Sequence, residues 1–273
     1  MNSSEFHLTE GPLLHILPIV YNHSMKKMPA AIFWTIAGTV FLLLIWESAA
    51  RIFNSGLILP GPLPVLKSLA ALIGSPRFLA ALAGSFFRVL SGIVLAVPLG
   101  IIAGIAAGLD KRLYFFLKPL FSVISATPVL SVILIAFLFL GAARTPVFTA
   151  FLMIFPVMAA NTIEGMNSTN AKLKELFTAF RMNRRDTLRY LYIPSLVPFI
   201  LAGLRSSLSQ CWKVVVAAEV MVQPVTSLGA GMQQAKAQLE TPELFAWTAA
   251  TVIAAACTQG VLSLILKYRG KTK

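Results

Sequence analysis

The sequence predicts an all-α integral membrane protein with six transmembrane helices, and three observations lead there. Of 273 residues, 57% are hydrophobic and only 12% charged, and the mean hydropathy of +0.80 lies outside the range of a soluble globular domain. Five stretches reach or approach the roughly 20 apolar residues that a spanning helix needs. They lie at 31–45, extendable to 50 past Glu47, and at 89–109, 119–140, 146–163 and 244–266; a sixth, 196–222, is long enough but carries Arg205, Lys213 and Glu219. The third observation is the distribution of basic residues. With the N-terminus inside, fifteen Lys and Arg fall in the inner segments, and five, Arg51, Lys67, Arg77, Arg144 and Lys236, in the outer ones. That bias puts both termini in the cytoplasm.

Residues 1–30 form a cytoplasmic N-terminal segment, 31–267 the membrane domain with a cytoplasmic loop at 164–195, and 268–273 a cytoplasmic tail. No basic region precedes the short apolar stretch at 13–20, so a cleaved signal peptide is not expected. His7, His15 and His23 all lie in this segment without a cysteine or acidic cluster, and no metal site is expected. Cys211 and Cys257 sit inside apolar stretches and read as small hydrophobes. After the first span, "LILPGPLPVLKSLAALIGSPRFL" is too short and interrupted to cross a bilayer and reads as an interfacial helix. The second span places Gly92, Ala96, Gly100, Gly104 and Gly108 at every fourth position, a stripe on which another helix backbone packs closely, within the chain or across a dimer. Pro98, Pro128 and Pro156 fall inside spans as potential kinks.

The loop at 164–195 is the most charged part of the chain. Leu173, Leu176, Phe177 and Phe180 recur at i, i+3, i+4 and i+7, which puts them on one helical face; Asn170 is the expected N-cap, and a second short helix is expected from about Arg184 to Tyr192, ending at Pro194. Periodicity alone leaves two readings open: a basic amphipathic loop lying on the anionic inner leaflet, or a docking helix for a cytoplasmic partner. The net charge of +13 does not point to nucleic acid, because the basic residues are dispersed between apolar runs.

Ionisable groups inside a span usually face the bundle interior or a watery cavity. Arg205, Lys213 and Glu219 in the fifth span are therefore candidates for a transport path, with Gln210 and Trp212 adding a hydrogen-bonding group and an aromatic surface. The alternative has Arg205 snorkelling to the inner interface, Glu219 near the outer one and Lys213 paired with an acid elsewhere. Two cations against one anion suit an anionic substrate.

Glu175, Ala179, Ile193-Pro194 and the "GLR" at 203–205 together resemble the EAA loop of the permease subunits of bacterial ABC importers. "WESAARI", "LPGPLPVL", "FRVLSGIVLAVPLGIIAGIAAGL", "KPLFSVISATPVLSVILIAFLFLGAA" and "WKVVVAAEVM", in that order, extend the resemblance to the nitrate, sulfonate and taurine branch, over roughly residues 40–267. Two departures stand out: the alanines that follow the glutamate in the family are Leu176 and Phe177 here, and the glycine six residues after it is Arg181, which does not favour a glycine's turn. The resemblance implies a coupling helix formed by Leu173, Glu175, Leu176, Phe177, Ala179, Phe180 and Arg181, closed by Pro194, seated on a separate ATPase. It also implies a second, identical permease chain, an extracytoplasmic binding protein, and residence in the bacterial inner membrane. The chain itself is then not an enzyme and holds no cofactor, ATP and Mg belonging to the partner; its one "GKT", at 270–272, lacks the upstream glycine, strand and following helix of a P-loop. The implied cargo is a small solute, either an anion such as a sulfonate or nitrate, or a vitamin precursor. A secondary transporter with an amphipathic loop on the membrane surface is the alternative, although no internal repeat supports it.

Overall fold

The computed structural model describes residues 28–271, with side chains described for 32–266. The N-terminal histidines and the apolar stretch at 13–20 lie outside the described residues. The chain divides into two units, residues 1–62 and 63–273. In the first, helix α1 (Met28–Phe53) provides the first expected span, and its C-terminal end is tied to the following loop by Trp46 Nε1, which donates to the Pro60 carbonyl at 3.0 Å.

The second unit opens with α2 (Pro62–Ile73), the expected short helix, which buries Val65 and Leu69 one turn apart. Ser75 then caps α3 (Pro76–Leu109), with a proline in its first turn where no N–H is needed. This helix begins well before the apolar run at 89–109 and carries Ser85 and Arg88 in its N-terminal part. Asp110 ends α3 and caps α4 (Lys111–Ala126), accepting from the Arg112 N–H. Helix α5 (Val129–Asn167) follows.

The span expected at 119–140 is not one continuous helix. Pro128 holds Thr127 in an extended conformation, so α4 stops and α5 starts anew at Val129. Gly141, at φ 70° and ψ 176°, then breaks α5 in a region open essentially to glycine alone, with Pro146 soon after. Five helices among the described residues are long and apolar enough to cross a membrane, the third of them broken at Gly141: Ile32–Phe53, Pro76–Leu109, Val129–Asn167, Arg184–Val222 and Thr241–Leu266. The remaining expected span is split between α4 and the first arm of α5.

The loop expected at 164–195 holds α6 (Ala171–Ala179), with Asn170 capping it as expected, and one turn of helix, α7 (Arg184–Asp186). The expected end at Pro194 does not occur. A π-helical stretch at Thr187–Tyr192 leads directly into α8 (Ile193–Val222) and places Pro194 in its first turn, where the missing N–H costs little. Two further helices complete the unit: α9 (Leu228–Ala237), capped by Ser227, and α10 (Thr241–Lys271).

Packing of α3 on α5 accounts for the glycine stripe. A Cβ on Gly92 would lie 2.8 Å from that of Ala150, on Gly100 2.6 Å from that of Met158, on Gly104 2.5 Å from that of Thr162, and on Gly108 2.6 Å from that of Met166. The sequence offset is constant, so the two helices run parallel and in register, and the stripe is filled within the chain. Ala96, fully buried, continues it. The core of this unit gathers Ile154, Met158, Trp212, Val215 and Trp247, with Phe78 set against Trp247 at 5.5 Å between ring centroids.

Candidate transport face and loop helix

Helix α8 has two unlike faces. One is packed: Gly203, Ser207, Cys211, Trp212, Val215 and Glu219 are buried. The other is open, and its exposed or half-buried residues recur about every fourth position as Ala202, Arg205, Ser206, Ser209, Gln210 and Lys213. Arg205 and Lys213 are exposed, and neither has an acidic partner among the described residues, whose ion pairs are Arg51–Glu47 and Arg88–Glu219. Lipid cannot cover such a stripe cheaply, because a charge in the hydrocarbon costs several kcal/mol, on the order of 3 by insertion scales.

The neighbouring elements add polar groups. Between α4 and the second arm of α5 lies a cavity of about 500 Å³, lined by Tyr114, Lys118, Ser122, Ser125, Glu164 and Asn167 among others. No residue of α4 is buried, although Lys118, Ser122 and Ser125 share one of its faces. On α5, Asn161 packs against Gly203 on the packed face of α8.

The five candidates from the fifth span therefore separate. Arg205, Gln210 and Lys213 stand on the open face. Trp212 is 1% exposed and its indole N–H donates to Thr258 Oγ1 of α10 at 2.9 Å, on the packed face. Glu219 is 0% exposed and fully engaged: Ser85 Oγ lies 2.7 and 2.9 Å from its two oxygens, Arg88 Nη1 donates at 3.0 Å, and the Gly229 N–H at the start of α9 donates at 3.3 Å. The same Arg88 nitrogen donates to the Thr226 carbonyl at 2.8 Å, and the Leu228 N–H donates to Ser85 Oγ at 2.9 Å. Gly229 is required here, since its Cβ would lie 2.5 Å from that of Glu219. These contacts clamp the N-terminal part of α3, the C-terminal end of α8 and the start of α9 together.

Sequence reasoning missed Ser85 and Arg88. Arg88 sits one residue outside the apolar run at 89–109, and it was the basic residue assigned neither to a loop nor to a span. An unassigned arginine beside a span and an unpaired glutamate inside another were the available signal.

In the loop before α8, α6 presents its expected face to solvent: Leu173 is 44%, Leu176 48% and Phe180 72% exposed, with Phe177 half-buried beside them. Glu175 and Ala179 are exposed. Lys174 ties the helix back, its Nζ donating to the Met166 carbonyl at 3.2 Å and lying 5.6 Å from the Tyr192 ring centroid. After the cap at Phe180, Arg181 adopts φ 51°, its N–H bonding the Thr178 carbonyl while the Met182 N–H bonds the Phe177 carbonyl. This is the Schellman arrangement that favours glycine at Arg181's position, so the arginine takes up the glycine's turn at a cost on the order of 1 kcal/mol.

Comparison with known proteins gives one family and consistent relatives. Residues 96–268 match the family model described as binding-protein-dependent transport system inner membrane component. A probable ABC transporter permease protein of Brucella melitensis is 31% identical over 70% of this chain and 78% of its own length. The taurine transport system permease protein of Escherichia coli is 30% identical over 80% and 82%. Among solved structures, a chain of the MetNI methionine ABC transporter shares the fold, with a TM-score of 0.52 and 15% identity over 69% of this chain and 92% of that one.

Proposed function

From the premise that the chain belongs to the family of binding-protein-dependent transport system inner membrane components, as a permease subunit of an ABC importer, we propose that its α6 couples a separate ATPase to an alternating-access path lined by the open face of α8. It is a transport subunit and not an enzyme, and ATP hydrolysis belongs to another subunit. That partner holds ATP and Mg. An extracytoplasmic binding protein delivers the solute to the outer face, and a second permease copy encloses the path from the other side. Both termini lie in the cytoplasm, in keeping with the basic residues of the inner loops.

The observation that carries this reading is α6. A short helix leaves Leu173, Leu176 and Phe180 to solvent while Lys174 and a Schellman turn hold it in place. Exposing large apolar side chains on a fixed element forgoes about 1.5–3 kcal/mol each relative to full burial, which a partner's groove recovers. A rigid contact of this kind is what transmits motion from a nucleotide-driven subunit.

The solute is small. Lys118, Arg205 and Lys213 against Glu164 on the open faces favour an anion, and a sulfonate fits both that balance and the taurine relative. In a chain with Cys211 and Cys257 replaced by serine, a thiol-reactive cross-linker at Phe180→Cys is expected to capture a P-loop ATPase in native membranes. Capture of lipid alone would return the helix to the membrane surface and sink the coupling reading.

A further inference from the structure

The groove between α4 and the second arm of α5 holds two unlike charges that do not pair. Lys118 lines it from α4 and Glu164 from α5, around a cavity of about 500 Å³. Both are exposed, and neither belongs to an ion pair among the described residues. The register of the two helices keeps them apart. Phe121 meets Phe155 at 5.6 Å between ring centroids, and Tyr114 shares the groove with Asn167, so residue numbers fall along one helix as they rise along the other. Lys118 is then level with about residues 158–160 of α5, and Glu164 lies about four to six residues nearer the end of that helix, roughly 6–9 Å along the axis.

The rest of the lining suits a small polar molecule. Ser122, Ser125 and Asn167 are exposed in the groove, with Tyr114 half-buried. Ser122 Oγ donates to the Lys118 carbonyl at 3.0 Å, which leaves its lone pairs to accept. Pro156, Ala160 and Ile163 supply apolar surface for a short carbon chain.

Taken alone, the groove is balanced, one cation against one anion. A simple anion bound there gains Lys118 and is repelled by Glu164, and a simple cation meets the reverse. A molecule with an ammonium and an oxyanion joined by two carbons satisfies both. Its charges lie about 4 Å apart, and charge-assisted hydrogen bonds of about 2.8 Å at each end extend the reach to about 9 Å. That reach fits the offset of Lys118 from Glu164.

We propose that this groove binds a small zwitterion, its oxyanion on Lys118 and its ammonium on Glu164. The same chemistry occurs in a free aminosulfonate and in the phosphoethanolamine headgroup of a lipid. Binding does not depend on coupling through α6; only the identification of the zwitterion as cargo rests on that reading.

The test uses the full chain with its co-purifying membrane-bound subunits in nanodiscs of phosphatidylglycerol, a lipid without an amine. Calorimetric titration compares 2-aminoethanesulfonate with 2-hydroxyethanesulfonate, which lacks the ammonium, and with ethanolamine, which lacks the sulfonate. The aminosulfonate is expected to bind at least ten-fold more tightly than either half. Lys118→Gln and Glu164→Gln are each expected to weaken it at least five-fold, and Lys111→Gln, in the neighbouring cavity beyond Tyr114, less than two-fold. Combining Lys118→Glu with Glu164→Lys is expected to restore most of the affinity, because a zwitterion can turn end for end. A second arm adds phosphatidylethanolamine to the nanodiscs and reads the lipid retained on the chain by native mass spectrometry. Retention that falls with the same two glutamine substitutions, without binding of the free aminosulfonate, assigns the groove to the headgroup; binding of the free aminosulfonate without selective retention assigns it to a solute. Equal binding of 2-hydroxyethanesulfonate would overturn the proposal by removing Glu164 from the contact. Binding that the substitutions at Lys118 and Glu164 leave unchanged would overturn it by moving the ligand elsewhere, and background signals in both arms would mean that the two side chains turn to each other instead.

Discussion

Two spanning helices carry stripes of four-residue spacing, and they behave in opposite ways. On α3 the stripe is Gly92, Ala96, Gly100, Gly104 and Gly108, and α5 fills it so closely that no Cβ fits at the glycines. On α8 the stripe is Arg205, Ser209, Lys213 and then Met221, and nothing in the described chain covers it. Spacing identifies a face in both cases. Residue type determines what can lie against it: small residues admit a backbone, whereas unpaired cations within a span require water, a solute or another chain.

The comparison would fail if any charge on α8 marked the path, and Glu219 tests this with the largest expected effect. Replacing Glu219 by alanine leaves Arg88 without its partner in a mostly buried site and removes the acceptor for Ser85 and Gly229. The expected loss is about 3–5 kcal/mol, read as a lower thermal unfolding midpoint of the purified protein, with the clamped ends of α3, α8 and α9 loosened. A Glu219→Ala variant as stable as the parent but defective in transport would return this residue to the path.

A smaller effect is expected on the filled stripe. Gly104→Leu forces a side chain against Thr162 and the Ala159 carbonyl, the latter 2.8 Å from the new Cβ. Overpacking of this kind costs about 1–3 kcal/mol, and more where backbone blocks relaxation. Gly260→Leu on α10, where a Cβ meets nothing within 4 Å, is the matched control and is expected to leave the unfolding midpoint unchanged. Equal effects at the two glycines would mean that the α3–α5 contact is not what makes the stripe necessary.

Much of this was legible in the sequence because it depends on local pattern. The apolar runs marked where helices cross, the repeat of Leu173, Leu176, Phe177 and Phe180 marked a face, and Asn170 marked the cap that starts it. The stripe on α3 was visible, but its partner was not, since small residues invite any backbone. The split of the third span was missed because hydropathy runs on through Thr127-Pro128 and Gly141, where backbone torsions do the breaking. The clamp was missed for another reason. Arg88 and Glu219 stand 131 residues apart, and only the parallel packing of α3 and α5 with α8 beside them brings the two together. Arg181 went the other way: its identity argued against a glycine-like turn, and two backbone hydrogen bonds hold it there nonetheless.

Lys213 sharpens the comparison because its expected effect on stability is the smallest and its effect on function is not. It is exposed and has no acidic partner among the described residues, so Lys213→Ala removes little packing and no ion pair within the chain. The unfolding midpoint is expected to move by no more than about 0.5 kcal/mol equivalent. Uptake of an anionic solute into vesicles is expected to fall several-fold, while the ATPase remains bound, because Lys213 lies about 30 Å along α8 from the end that joins the loop of α6. Lys213→Arg keeps the charge and is expected to restore most of the uptake, which a purely steric role would not predict. A variant with unaltered uptake kinetics would mean that the open stripe is covered by something other than the solute's route, and the argument from residue type would then hold for α3 alone.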